Sequence, residues 1–206
     1  MSPYLQQIAL VEMSITCAVV VIYLVQRFSQ TSFPLVIRIA LLLLLANLFF
    51  WPIGLSLELP LSAYVRGVTG ELSIVTMLLL WSTLLPQNGK TPLAFSVAIV
   101  VIAIAFYPLA LGYGMFDPYV WGYGTLGLLI AVVVFALVCG IAGWVKGVWV
   151  LSMAIMAWSF HWHESANLWD YILDPFLALW ALYPIIHFFY QRRRQKLQSG
   201  YLFRAG

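Results

Sequence analysis

Charge is what this sequence has least of. Only 8% of its 206 residues are Asp, Glu, Lys or Arg, against about 25% in an ordinary soluble domain. A water-solvated surface over most of the chain is therefore excluded. With 64% hydrophobic residues and a mean hydropathy of +0.98, the solvent the chain is built for is lipid. Cysteine is scarce as well: Cys17 and Cys139 both lie inside apolar runs, which excludes a disulfide scaffold and leaves two small hydrophobes. The opening MSPYLQQIAL has no positive n-region and Glu12 interrupts the first apolar run, so a cleavable signal peptide is not expected and the first span should be retained.

Several chemistries are missing too. No P-loop and no G-x-S-G occur, so neither phosphate cradling nor a rhomboid-type serine nucleophile is on offer. The last apolar segment has no lysine for a retinal Schiff base. The two GYG triplets, Gly112–Gly114 and Gly122–Gly124, lack both a preceding pore helix and the TV of a potassium filter. The net charge of +3 comes almost entirely from the C-terminal tail, which excludes a nucleic-acid surface and suits an orientation signal.

What remains is an all-α, single-domain transmembrane bundle. Seven apolar segments stand out, at 8–26, 33–53, 72–85, 93–111, 125–145, 148–160 and 168–190, the third and sixth short against the roughly 20 residues a crossing needs. Charge then sets the orientation. Seven spans put Arg27, Arg38, Lys90, Lys146, Arg192, Arg193, Arg194, Lys196 and Arg204 on one side. Every acid, Glu12, Glu58, Glu71, Asp117, Glu164, Asp170 and Asp174, falls on the other with Arg66. The positive-inside rule makes the basic side cytoplasmic, so the N-terminus is expected outside and the C-terminus inside. LPQNGKTP and GWVKG read as tight turns between spans.

Candidate chemistry concentrates at the acid side, above all in SFHWHESANLWDYILDP. If residues 163–174 are helical, His163, Asn167, Asp170 and Asp174 follow i, i+4, i+7 and i+11 and make one polar stripe. Asp174 before Pro175 also has the form of an N-cap followed by proline at the first helical position, where the helix would restart. Imidazole and carboxylate ligands are what a divalent metal takes, so His161, His163, Asp170 and Asp174 are candidate metal ligands, with Glu71 or Glu164 as general base. The plainer alternative is an interfacial belt with solvated or helix-capping acids.

Arg66, the lone cation on the acid side, is expected either to grip a phosphate or carboxylate headgroup or to pair with Glu71 or an acid of the last helix. Asn167 and Trp121 complete the candidate ligand-binding set, Trp121 as one of several loop aromatics able to stack on sugar rings. Glu12 is expected to snorkel outward or to meet Arg66. Arg38 should snorkel to the opposite surface, and Asn47 should act as interhelical glue.

The leading functional expectation is a non-enzymatic accessory or scaffold subunit of a bacterial inner-membrane system that handles envelope lipid or polysaccharide. Its partners would be the lipid bilayer and other membrane proteins, with no nucleic acid. Two alternatives stand beside it: an outer-leaflet metal-dependent hydrolase or transferase, and a carrier for a small solute or proton with Glu12, Asp170 and Asp174 as titrating groups.

Overall fold

The computed structural model describes residues 3–52, 54, 58–85 and 91–202, with side chains described between 4 and 196. Lys90, Arg204 and residues 86–90 of the LPQNGKTP turn lie outside the described residues. The chain is all-helical. In order come α1 (Pro3–Ser29), α2 (Leu35–Phe50), a short α3 (Leu61–Thr69), α4 (Ile74–Trp81) prolonged by a 3-10 turn (Ser82–Leu84), and α5 (Leu93–Ala110). A second 3-10 turn (Pro118–Gly122) leads to α6 (Leu126–Ile141), α7 (Val145–Ser159), a single-turn α8 (Leu168–Ile172) and α9 (Pro175–Leu202).

Punctuation residues set the ends. Pro34, Pro60 and Pro92 stand immediately before α2, α3 and α5, and Pro175 opens α9, each with its φ already fixed for helix entry. At the end of α6, Gly143 takes φ 74°. Its N–H reaches Gly140 O at 3.0 Å while Trp144 N–H reaches Cys139 O at 2.9 Å. That paired closure is a Schellman stop, and it makes GWVKG the tight turn expected of it.

Cross-chain bonds show that successive long helices alternate in direction. Arg38 Nη1 donates to Leu84 O at 2.9 Å, joining the start of α2 to the end of α4. Ser73 N–H donates to Asp174 Oδ2 at 2.7 Å, joining the starts of α4 and α9. Trp162, just past α7, donates to Glu12 of α1. One end of the bundle thus gathers the start of α1, all of α3 and α8, the 118–122 turn and the 160–167 loop.

α4 is the inner helix, packed against α1, α7, α8 and α9, with Ile74, Val75, Met77 and Leu79 buried. Each longer helix around it brings a buried alanine to a contact: Ala18 in α1, Ala103 in α5, Ala136 in α6, Ala154 in α7 and Ala181 in α9. Small side chains let helix backbones approach closely. α2 differs, with no buried residue at all.

Among the described residues, two helices are long and apolar enough to cross a membrane, α1 over Tyr4–Ser29 and α5. The apolar stretches of α2, α4 with its 3-10 turn, α6 and α7 are shorter, at 10–17 residues. Three sequence expectations need correction. Residues 163–174 do not form one helix: α8 starts at Leu168, and Leu173 is extended at ψ 126°, so no continuous polar stripe exists. Glu12 meets His163 and Trp162 rather than Arg66. Asn47 accepts from Trp51 Nε1 at 2.8 Å, at the end of its own helix, rather than from a neighbouring helix among the described residues.

Candidate functional site: the acid end of the bundle

Four polar knots tie this end together. The first centres on Asp174, which is 6% exposed. Its Oδ1 accepts from Leu177 N–H and its Oδ2 from Ser73 N–H, both at 2.7 Å. Asp174 is therefore the N-cap of α9, as the Asp-Pro pair suggested, and Ser73 is the N-cap of α4. One carboxylate sits where two helix N-termini converge, a position that both partial positive ends favour.

The second knot joins α8 to the 118–122 turn. Tyr119 O–H donates to Asp170 Oδ2 at 2.8 Å, and Ser165 O–H donates to the same oxygen. Asn167 is fully buried. Its Nδ2 donates to Tyr119 O and its Oδ1 accepts from Trp169 N–H, both at 2.9 Å. Trp169 Nε1 donates to Pro118 O at 3.0 Å, and its ring lies 4.5 Å from that of Phe106. Gly122 supplies the seat: a Cβ there would lie 1.6 Å from Asn167 Oδ1. Sequence reasoning singled out Asp170 and Asn167 but missed Tyr119 as their anchor, because a loop tyrosine is indistinguishable from its aromatic neighbours until the loop is placed.

Burial raises the Tyr119 phenol above the ordinary tyrosine range, and the bond to Asp170 adds to this. The fold thus holds the neutral phenol, so its contribution is intact below pH about 10 and is lost as pH climbs through the raised value. In an alkaline titration, the phenolate absorbance difference between wild type and Tyr119→Phe should stay flat to pH about 10 and develop only above it. A difference that develops at or below that pH would show that the phenol is not held.

The third knot is Arg66, whose Nη2 donates to Glu71 at 2.5 Å and to Glu164. Burial opposes the Arg66 charge, but the bonds to Glu164 and Glu71 outweigh it and its pKa rises. Pairing with Glu71 was expected; the second partner is Glu164 of the 160–167 loop rather than an acid of the last helix. The fourth knot is Glu12 with His163 and Trp162. His163 Nε2 stands 3.6 Å from Glu12 Oε2, and Trp162 Nε1 donates to Oε1. The His163 ring stacks on Tyr171 at 4.8 Å, and its backbone N–H donates to the Tyr171 hydroxyl at 3.0 Å. Among the described residues, His163 Nδ1 is buried without a hydrogen-bond partner, and so is Arg66 Nε.

The candidate metal ligands are thus distributed over separate knots. His163 faces Glu12, Asp170 faces Tyr119, Asp174 caps α9, and His161, at φ 52°, is exposed on the turn after α7. Among the described residues no group of three or more His, Cys, Asp or Glu is arranged to hold a metal ion. The two candidate bases, Glu71 and Glu164, meet on Arg66. Trp121 is half exposed and stands edge-on to Phe116 at 5.1 Å, with no bond to the Arg66 knot.

Beneath this polar layer lies a feature that sequence reasoning did not identify. An apolar groove of about 560 Å³ runs between α1, α3, α4 and α9, lined among others by Met13, Cys17, Val20, Leu79, Phe176 and Trp180. Above it, a cleft of about 10 Å³ is walled by Glu12, Arg66, Glu71 and His163, and it shares Met13 and Leu72 with the groove. No family model, curated protein or solved structure matches the chain.

Proposed function

We propose that the chain is a multi-pass protein of a bacterial inner membrane, crossing seven times with the acid end outside and the C-terminus in the cytoplasm. Within that membrane it serves as a non-enzymatic accessory or scaffold subunit of a system that handles envelope lipid or polysaccharide. The observation that carries the functional part is how the outer polar residues are used. Asp174, Asp170, Asn167, Glu71 and Glu164 each hold a backbone or side-chain partner that fixes a loop or a helix end. Partners of this kind are what a framework role asks of buried and half-buried polar groups.

The membrane part is supported by the exterior. Leu44, Ile104, Ile130, Leu137, Leu179 and Ile186 are all more than half exposed, and exposed apolar surface of this kind marks contact with membrane or protein. Basic residues at the far end, Arg27, Arg38, Lys146 and the α9 arginines, agree with a cytoplasmic face. The third apolar segment is short, but α4 is wrapped by protein and its backbone needs no lipid-spanning length of its own. α2, apolar and with nothing buried, offers a whole helix flank to another membrane helix.

Native mass spectrometry of the protein, extracted gently from its own membrane, tests the assignment. A stoichiometric protein partner is expected. A lone chain carrying a transition metal that His163→Ala removes would overturn it in favour of an outer-leaflet hydrolase or transferase.

A further inference from the structure

The groove and the polar knots above it form one amphiphilic feature. The groove is lined by α1, α3, α4 and α9, and its volume of about 560 Å³ is in the range of small-ligand sites, about 300–1,000 Å³. A chain already dissolved in a bilayer gains no hydrophobic transfer energy by entering it, because lipid tails are as apolar as the groove wall. Selective occupancy must therefore come from the polar end, whose charge is unbalanced. Glu12, Glu71 and Glu164 face the single guanidinium of Arg66 and the imidazole of His163. An anionic headgroup would meet surplus carboxylate. A headgroup carrying both a phosphate and an ammonium matches both signs.

The Arg66 side chain keeps 19% of its surface exposed, so its guanidinium can offer N–H donors to a phosphate oxygen from outside the cleft. The His163 side chain is 2% exposed, walls the cleft, and has no partner at Nδ1. Each carboxylate on Arg66 keeps lone pairs for a further donor. The cleft, at about 10 Å³, admits about one water, so a headgroup rests above it rather than inside.

We propose that the groove binds one acyl chain of a zwitterionic, amine-bearing glycerophospholipid, with its phosphate on Arg66 and its ammonium on Glu71 and Glu164. The proposal rests on the membrane-embedded assignment above. Alkaline carbonate extraction separates the two failures: a chain released from membranes fails that assignment, and a chain retained there without the lipid fails only this one.

The test reconstitutes the full chain into nanodiscs of equimolar dioleoyl phosphatidylethanolamine and dioleoyl phosphatidylglycerol, then counts retained lipid by native mass spectrometry. One phosphatidylethanolamine per chain is expected, preferred over phosphatidylglycerol by about fivefold, what one partly exposed ion pair supplies. Val20→Trp, which adds bulk at an exposed position in the groove, should abolish retention. The double variant Glu71→Gln, Glu164→Gln should keep a lipid but lose the preference. No retained lipid, equal retention of both headgroups by wild type, or retention unchanged in Val20→Trp each overturns the proposal. Cys17 gives a readout that does not depend on Val20→Trp folding, because it lines the groove while Cys139 is buried elsewhere. In Cys139→Ala protein, an apolar maleimide should label Cys17 more slowly in phosphatidylethanolamine than in phosphatidylglycerol nanodiscs, and equal rates would overturn it.

Discussion

Asp174→Ala should be the most damaging single change at the acid end, lowering stability by about 3 kcal/mol. The carboxylate is 6% exposed and satisfies two backbone N–H groups, Ser73 at the start of α4 and Leu177 in the first turn of α9. Truncation leaves both donors buried without partners, and the penalty is their desolvation rather than one average hydrogen bond. It also removes the negative group from the positive ends of two helices at once. Asp174→Asn should recover part of the loss, since its single carbonyl oxygen can serve one donor while its amide opposes the other. Reversible unfolding in mixed micelles of mild detergent and SDS measures the order: wild type, then Asn, then Ala. Equal stability of Ala and wild type would show that the two helix starts are not held through this carboxylate.

Gly122→Ala is expected to cost about 3 kcal/mol, although alanine is ordinarily the more favourable residue away from special backbone angles. The reason is steric. The added carbon would stand 1.6 Å from Asn167 Oδ1 and 2.9 Å from Trp169 Cδ1. Asn167 cannot swing aside without losing its bonds to Tyr119 O and Trp169 N. The same substitution made on Asn167→Ala should cost less, because the nearest obstruction is gone and only the 2.9 Å approach to Trp169 Cδ1 remains, so the two changes should be non-additive. Additive losses would place the damage in the 118–122 turn itself and not in its contact with Asn167.

The acid end was legible in part. The all-helical class was legible, and the apolar segments reported the long helices, because an element apolar on all sides needs only a proline or glycine to mark its ends. Asp174 was legible as a cap because Asp-Pro is a local signal whose meaning does not depend on distant residues. Asp170 and Asn167 were found as polar residues in an apolar context, but their partner Tyr119 lies 48 or more positions away in sequence. The helical stripe over 163–174 failed because Asn167 caps α8 through Trp169 N–H, and Leu173 is drawn out to let Asp174 cap α9. Caps compete with continuous helix, and here they won.

The groove left a faint trace that was not read: Met13, Thr16, Cys17 and Val20 follow i, i+3, i+4 and i+7, a face of α1 with small residues where a filled core would place large ones. The Glu12–His163 contact spans 151 positions and had no local signal at all. Arg66 was ambiguous from sequence for a different reason, since three acids were within reach and only the fold could choose among them.

The central claim is that the acid end faces outward and the basic end inward. Cysteine accessibility in intact cells tests it most directly, in a chain whose Cys17 and Cys139 have been replaced by alanine. Met115→Cys, in the exposed loop before the 118–122 turn, and Val145→Cys, exposed at the start of α7, mark the two ends. A membrane-impermeant maleimide should label Met115→Cys in intact cells and Val145→Cys only after the membrane is opened. Labelling of both from outside, or of Val145→Cys alone, would contradict the account.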